Sequence, residues 1–292
     1  MGRLILIFPA FLCFYSSALS ETVEQRLTRI ETKLDSLLAL QSDTLPPRAG
    51  HAVLKDGLNL LWGIASEQGK MLDKGYYLVN YAEDFDIPYW VAYHLAAADI
   101  SGPADRTDDF RPDPELISGR RAELEDYRNS GYDRGHNAPA GDFQRSREAM
   151  STTFLLSNMS PQTPRLNRYI WKNLEEQTRQ VTESQGEAWI VTGNLFLNED
   201  NRCRCPLEYI GPHHVAVPTH LYKSILTLAG DGHYSTYAFL LPNQRDPISG
   251  KPADYEVTVD SLEAATGYDF FPVLDDSLED RLESHIAATW PR

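Results

Sequence analysis

Apolar residues fall into three rhythms along the chain, and each predicts a different kind of element. From Leu4 to Phe14 they run almost unbroken behind Arg3 and give way to Ala18-Leu19-Ser20. From Val23 they recur at Leu27, Ile30, Leu34 and Leu37, in steps of four and three with polar residues between, which is a heptad seam. The next seam position is Gln41, so the strict repeat ends after about two heptads, marginal for a stable coiled coil. Residues 21–41 therefore read equally as a stalk joining copies into a homo-oligomer or as an amphipathic helix packed on its own domain. Residues 42–50, with Pro46, Pro47 and Gly50, read as a linker.

The third rhythm is a series of short runs rich in β-branched and aromatic residues. Segments 76–81, 89–95, 154–156, 189–192, 224–228, 237–241 and 255–259 predict strands, with a hairpin-like connection containing Pro88 between the first two. Leu166, Ile170, Leu174 and Val181 form an apolar stripe, which predicts a helix from about 164 to 183. Shorter helices are expected near 261–266 and 277–287. Mostly antiparallel strands with inserted helices make the expected class α+β, a central sheet flanked by helices over residues 51–292.

A length of 292 residues with 42 % hydrophobic content suits one sizeable domain plus an appendage. Residues 1–20 read as a signal peptide, because the apolar run is short of the ~20 residues a membrane span needs. The expectation is an exported protein, periplasmic or extracellular, with no stable membrane insertion after cleavage. The formal net charge of −15 runs against a nucleic-acid partner, since phosphate binding leaves a basic footprint. Local charge differs from the total. Arg120, Arg121, Arg128, Arg134, Arg145, Arg147, Arg165, Arg168 and Lys172 crowd one segment, while acids gather at 83–86 and 275–280. Cys203 and Cys205 stand in a C-x-C arrangement, open to a strained bridge, inter-chain pairing or free thiols.

That basic segment holds the chemistry-bearing residues. His136 ends a predicted strand beside Asp133, Arg134 and Gly135, and Asn167 and Glu175 follow along one edge of the next helix. On an α-helix eight residues rise ~12 Å, so the two are not expected to ligate one ion directly. The economical arrangement has Asn167 as a direct oxygen ligand and Glu175 reaching the ion through water. Magnesium suits this, because it keeps several waters and takes few protein oxygens; manganese is the alternative. His136, with an ordinary pKa near ~6.5, would take a proton from an attacking water. Arg134 would anchor phosphate or pair with a carboxylate. Taken singly, each residue has a bland reading: a structural histidine, a capping asparagine, a solvated glutamate. Their joint spacing points instead to phosphodiester hydrolysis.

Residues 133–139 (DRGHNAP), 157–162 (SNMSPQ) and 166–175 (LNRYIWKNLE) closely resemble the DNA/RNA non-specific endonucleases, the ββα-metal (His-Me finger), endonuclease G-like enzymes. The similarity spans about residues 51–275. It implies a magnesium-dependent endonuclease acting on DNA and RNA and leaving 5′-phosphate ends. It carries the base onto His136, the metal ligand onto Asn167 and the water-positioning carboxylate onto Glu175. Arg134, Asn158, Gln162 and Arg168 are expected near the substrate. A further transition-state arginine is expected upstream, with Arg106 favoured over Arg111. The acidic total and the heptads depart from the family's core pattern. A DNA-restricted nuclease or an exonuclease of the same fold, and a non-catalytic surface-binding protein, are the alternatives. A zinc site built from His213-His214 with Cys203 or Cys205 fits poorly, since successive strand residues face opposite ways.

Overall fold

The computed structural model describes residues 69–197, 206, 208–246, 248–272 and 274–291; the apolar run, the heptads, the linker, Cys203 and Cys205 lie outside them. Its strands are β1 (Lys70–Asp73), β2 (Leu78–Ala82), β3 (Ile87–Ala96), β4 (Asp133–His136), β5 (Met159–Gln162), β6 (Gly186–Leu195), β7 (Tyr209–Ile210), β8 (Val215–Ala216), β9 (His220–Ala229), β10 (Tyr234–Pro242) and β11 (Glu256–Val257). The α-helices are α1 (Leu124–Tyr127), α2 (Arg147–Thr152), α3 (Lys172–Gln185), α4 (Val259–Thr266) and α5 (Asp276–Glu283). Seven strands form one sheet in the order β1-β2-β3-β6-β9-β10-β11, each neighbouring pair antiparallel. The α+β expectation holds. No helix among the described residues is long and apolar enough to cross a membrane.

Strand alternation divides the core between the two faces of this sheet. Val91, Tyr93, Leu95, Ala188, Ile190, Leu221, Ile225, Tyr237 and Phe239 point to one face, where Leu166, Ile170, Trp171, Leu174 and Val181 of the long helical segment cover them. Trp90, Ala92, Trp189, Val191, Tyr222, Leu226 and Ala238 point to the other, covered by Val259 and Leu262 of α4 with Phe270, Phe271 and Leu274. The 10-residue strands β3, β6 and β9 can therefore be apolar on both sides, which is why they read as aromatic and β-branched runs.

Three expectations need correction. Pro88 lies within β3, opposite Tyr81 at a register shift, not in the connection. A bulge is where a sheet tolerates a residue without an N–H. The turn is made instead by Glu83–Asp86, with Asp86 in the left-handed region at φ 54°. The 255–259 strand stops at Val257, because the Thr258 side chain accepts from Ser261 N–H and caps α4. Residues 154–156 are not a strand either. Phe154 is packed in a small cluster, Leu156–Asn158 form a 3-10 turn, and the strand follows at β5.

Candidate active site

A two-stranded ribbon and the helix after it build the site. β4 pairs antiparallel with β5, setting Gly135 against Ser160 and His136 against Met159. A side chain on Gly135 would run into Gln162, so the close approach of the two strands requires glycine there. Beyond β4 the Asn158 amide takes over where backbone pairing ends. Its Oδ1 accepts from Ala138 N–H at 2.9 Å, and its Nδ2 donates to the carbonyls of Ala138 (2.9 Å) and Thr153 (2.8 Å). These bonds fix the loop that leaves His136.

The helix carrying Asn167 departs from the α form expected of it. Leu166–Trp171 are π-helical, and the α-helix proper begins at Lys172. Seven residues make about two α turns, and a π turn takes up one more. The eight positions from Asn167 to Glu175 therefore close on two turns and return to one face, where a continuous α-helix would set them roughly 80° apart.

His136 is buried, with its ring edge-on to Phe110 and Phe154 at centroid distances of 5.7 and 5.0 Å. Its Nε2 has no hydrogen-bond partner among the described residues, so the ring is not a core histidine satisfied by the fold. Burial, then the charges of Arg106 and Arg134, push its pKa down to about 3. The imidazole is thus neutral at physiological pH. The unfolded chain binds a proton near pH 6.5 that the folded chain refuses until about pH 3. Stability from this group is full above pH 6.5 and declines as pH falls. His136→Ala should accordingly lose about 3 kcal/mol less stability than the wild type between pH 6.5 and 4, a difference that denaturant unfolding at the two pH values would reveal.

Asp133 links the ribbon to the helix. Its Oδ2 accepts from Asn167 Nδ2 at 3.0 Å and Arg168 Nε at 2.8 Å, and its Oδ1 accepts from Arg168 Nη2 at 2.7 Å. Burial alone would raise the Asp133 carboxyl, but hydrogen bonds from Arg168 and Asn167, with the Arg168 and Arg134 charges, hold it below its usual range. With its NH₂ tied down, Asn167 presents its amide oxygen away from Asp133. Half-buried Glu175, on the same helical face, makes no hydrogen bond or ion pair with a described residue. Beneath it lies a polar cluster. Asp142 accepts from Tyr93 OH at 2.7 Å and Arg179 Nη1 at 2.8 Å, and fully buried Lys223 donates to Thr192 Oγ1 at 2.7 Å. Burial raises the Glu175 carboxyl and lowers the Lys223 ammonium, and each charge partly offsets the shift of the other.

The expected residues divide accordingly. Arg134 lies over Phe110 at 4.0 Å and Arg106 over Phe154 at 4.8 Å, both on the aromatic pair that frames His136. Arg106 also bears electrostatically on Glu175. Arg111 is spent on Asp109 and the Ser151 carbonyl. Asn158 and Gln162, expected at the substrate, are fully buried; the first is consumed by backbone bonds and the second packs beneath Gly135. Arg168, also expected there, is committed to Asp133. Beside them a cleft of about 420 Å³ is lined by Tyr132, Arg165, Arg168, Tyr169 and Arg245. Sequence reasoning missed Asp142, Arg179 and Lys223. His213 pairs with Asp126 at 3.1 Å, a role in the fold.

An oxygen-only donor set of Asn167 and an unpaired Glu175 suits a hard divalent ion that keeps its waters. The sequence profile of the DNA/RNA non-specific endonuclease family matches residues 63–277. The chain is 38% identical over 204 residues to the Danio rerio mitochondrial nuclease EXOG, covering 68% of this chain and 60% of that protein. It is 37% identical over 187 residues to Homo sapiens mitochondrial endonuclease G, covering 63% of each. It thus spans about three fifths of the length of these relatives. A solved complex of EndoG with EndoGI superimposes with a TM-score of 0.70 at 31% identity, covering 80% of this chain and 95% of that one. The expectation of export is overturned: these relatives are named as mitochondrial nucleases, not as periplasmic or extracellular ones. A short apolar run does not by itself specify a compartment.

Proposed function

The chain belongs to the DNA/RNA non-specific endonuclease family, and on that premise we propose that it is a metal-dependent endonuclease of DNA and RNA that leaves 5′-phosphate ends. The observation that carries this reading is a buried, neutral His136 whose Nε2 has no hydrogen-bond partner among the described residues, sharing its aromatic frame with two arginines.

Asn167 would hold magnesium directly and Glu175 would hold it through a bound water. Bound there, the ion supplies positive charge against the phosphate and the departing 3′ oxygen. Each other part of the reaction belongs to this chain's own residues. His136 accepts the proton of the attacking water; the water oxygen bonds to phosphorus, the P–O3′ bond breaks, and the 3′ oxygen takes a proton from solvent. Arg106, whose Nε donates to exposed Asp108 at 2.7 Å and whose side chain is 53% exposed, would turn from that surface pair to the phosphate as charge accumulates in the transition state. Arg134, fixed on Phe110, draws the substrate backbone toward the histidine. Asp133 orients the Asn167 amide. The cleft of Arg165, Arg245, Tyr132 and Tyr169 offers charge for phosphates and ring faces for bases, so an acidic protein keeps a basic track where it is needed.

Digesting end-labelled duplex DNA and RNA in magnesium tests the reading. Internal cuts with ligatable 5′-phosphates on both substrates support it, whereas release of single nucleotides from the ends would favour an exonuclease of the same fold. Asn167→Ala should raise the magnesium concentration for half-maximal activity ~10-fold or more. An unchanged titration would remove Asn167 as the ligand.

A further inference from the structure

On the opposite face of the sheet from His136, α4 and α5 bring three carboxylates together. One donor oxygen each from Asp260, Glu263 and Glu283 lies within 4.8 Å of the other two. A cluster of acids on a surface is ordinarily solvated, but Glu283 is only 4% exposed and its Oε1 has no hydrogen-bond partner among the described residues. Burial, then the neighbouring charges of Glu263, Glu279, Asp260 and Asp269, push the Glu283 carboxyl up to about 9. It therefore holds a proton unless a cation takes the proton's place, and no basic side chain among the described residues pairs with any of the three. The donors are also held in place. Phe270 N–H donates to Glu263 Oε1 at 2.8 Å, and Thr236 Oγ1 on β10 donates to the Leu282 carbonyl, next to Glu283, at 2.7 Å.

We propose that Asp260, Glu263 and Glu283 form a second cation site, of the calcium class, that ties α4 to α5 over the outer face of the sheet. Oxygen donors alone, with neither imidazole nor thiolate, select a hard ion. Calcium takes six to eight oxygens at ~2.4 Å, so opposite ligands stand about 4.8 Å apart, and it accepts several carboxylates in one cage. Magnesium prefers one or two carboxylates with most of its waters retained. Exposed Asp260 leaves the outer side of the site open for waters that complete the shell. The ion's work is structural: Leu262 and Leu282 of the two helices share one apolar cluster with Phe270 and Phe271, and the ion closes the polar edge of that packing.

The test separates this site from the candidate active site by using the full chain carrying Asn167→Ala, stripped with chelator. Calcium titration by calorimetry should show one ion bound, and the melting temperature should rise by roughly 5–10 °C at a hundred-fold excess over Kd. Adding Asp260→Asn, at an exposed position compatible with folding, should weaken calcium binding ~10-fold or more, and Glu283→Gln should do the same. Either substitution in the otherwise wild-type chain should leave magnesium-supported activity unchanged. The proposal falls if the stripped Asn167→Ala chain binds no calcium, or if both substitutions leave calcium affinity unaltered. A melting shift reproduced by sodium chloride at equal ionic strength would also overturn it.

Discussion

His136→Ala is expected to lower kcat by about 10²–10⁴-fold, or roughly 3–5 kcal/mol of transition-state stabilisation, with little change in substrate affinity. The magnitude follows from what the ring does in place. It is neutral, desolvated, framed by Phe110 and Phe154, and engaged by no described hydrogen-bond partner. Alanine removes the proton acceptor but leaves Asn167, Glu175 and the basic cleft, so magnesium binding should persist. The β4–β5 ribbon should also survive, since its hydrogen bonds are made by backbone and by Asn158. Single-turnover cleavage and magnesium titration on the same preparation separate the two effects. A variant with near-full kcat would remove His136 as the base.

Asp142→Ala should produce the largest loss of stability. Asp142 is buried and accepts hydrogen bonds from Tyr93 and from Arg179, whose side chain is 19% exposed. Removing one partner of a buried charge pair costs about 3–5 kcal/mol, because the other charge stays behind without compensation. For a domain of this size that lowers Tm by roughly 6–20 °C. Function should suffer as well. Arg179 stands one helical turn beyond Glu175, whose charge already bears on it, so once freed from Asp142 it can turn to that carboxylate. A Glu175 drawn into an ion pair is a poorer partner for a metal-bound water, so activity should drop at temperatures where the variant is still folded. Denaturant unfolding and activity at 20 °C measure the two effects. A cost under ~1 kcal/mol would mean that Arg179 escapes to solvent instead.

Legibility in the sequence followed the range of the interactions. β3, β6, β9 and β10 were readable because alternation and β-branched content are local, and both faces of these strands are covered. The DRGH segment placed His136 at the end of a strand for the same reason. β5 was misplaced onto Phe154–Leu156 because its residues, Met-Ser-Pro-Gln, have little strand character of their own and pair only through β4. The π turn at Leu166–Trp171 was invisible, since the four-residue steps from Leu166 to Ile170 to Leu174 lie between the repeats of the two helices and suit either. Asp133 was legible as a charge but its partner was not. Arg168 lies 35 positions away and is brought back by the ribbon and the turn after it. The Tyr93–Asp142–Arg179 contacts and the buried Lys223 draw on elements scattered along the chain, and no local pattern announces them. Location was the expectation taken from the least informative segment, and similarity over the folded region overturned it.

The central claim is that magnesium and His136 together make this fold a nuclease. Digestion of supercoiled plasmid by the wild-type chain in magnesium, in EDTA, and beside His136→Ala tests it most directly. Nicking and linearisation in magnesium alone, abolished in the variant, is the predicted result. Cleavage that survives EDTA or the loss of His136, or no cleavage by folded wild-type protein with magnesium or manganese, would contradict it.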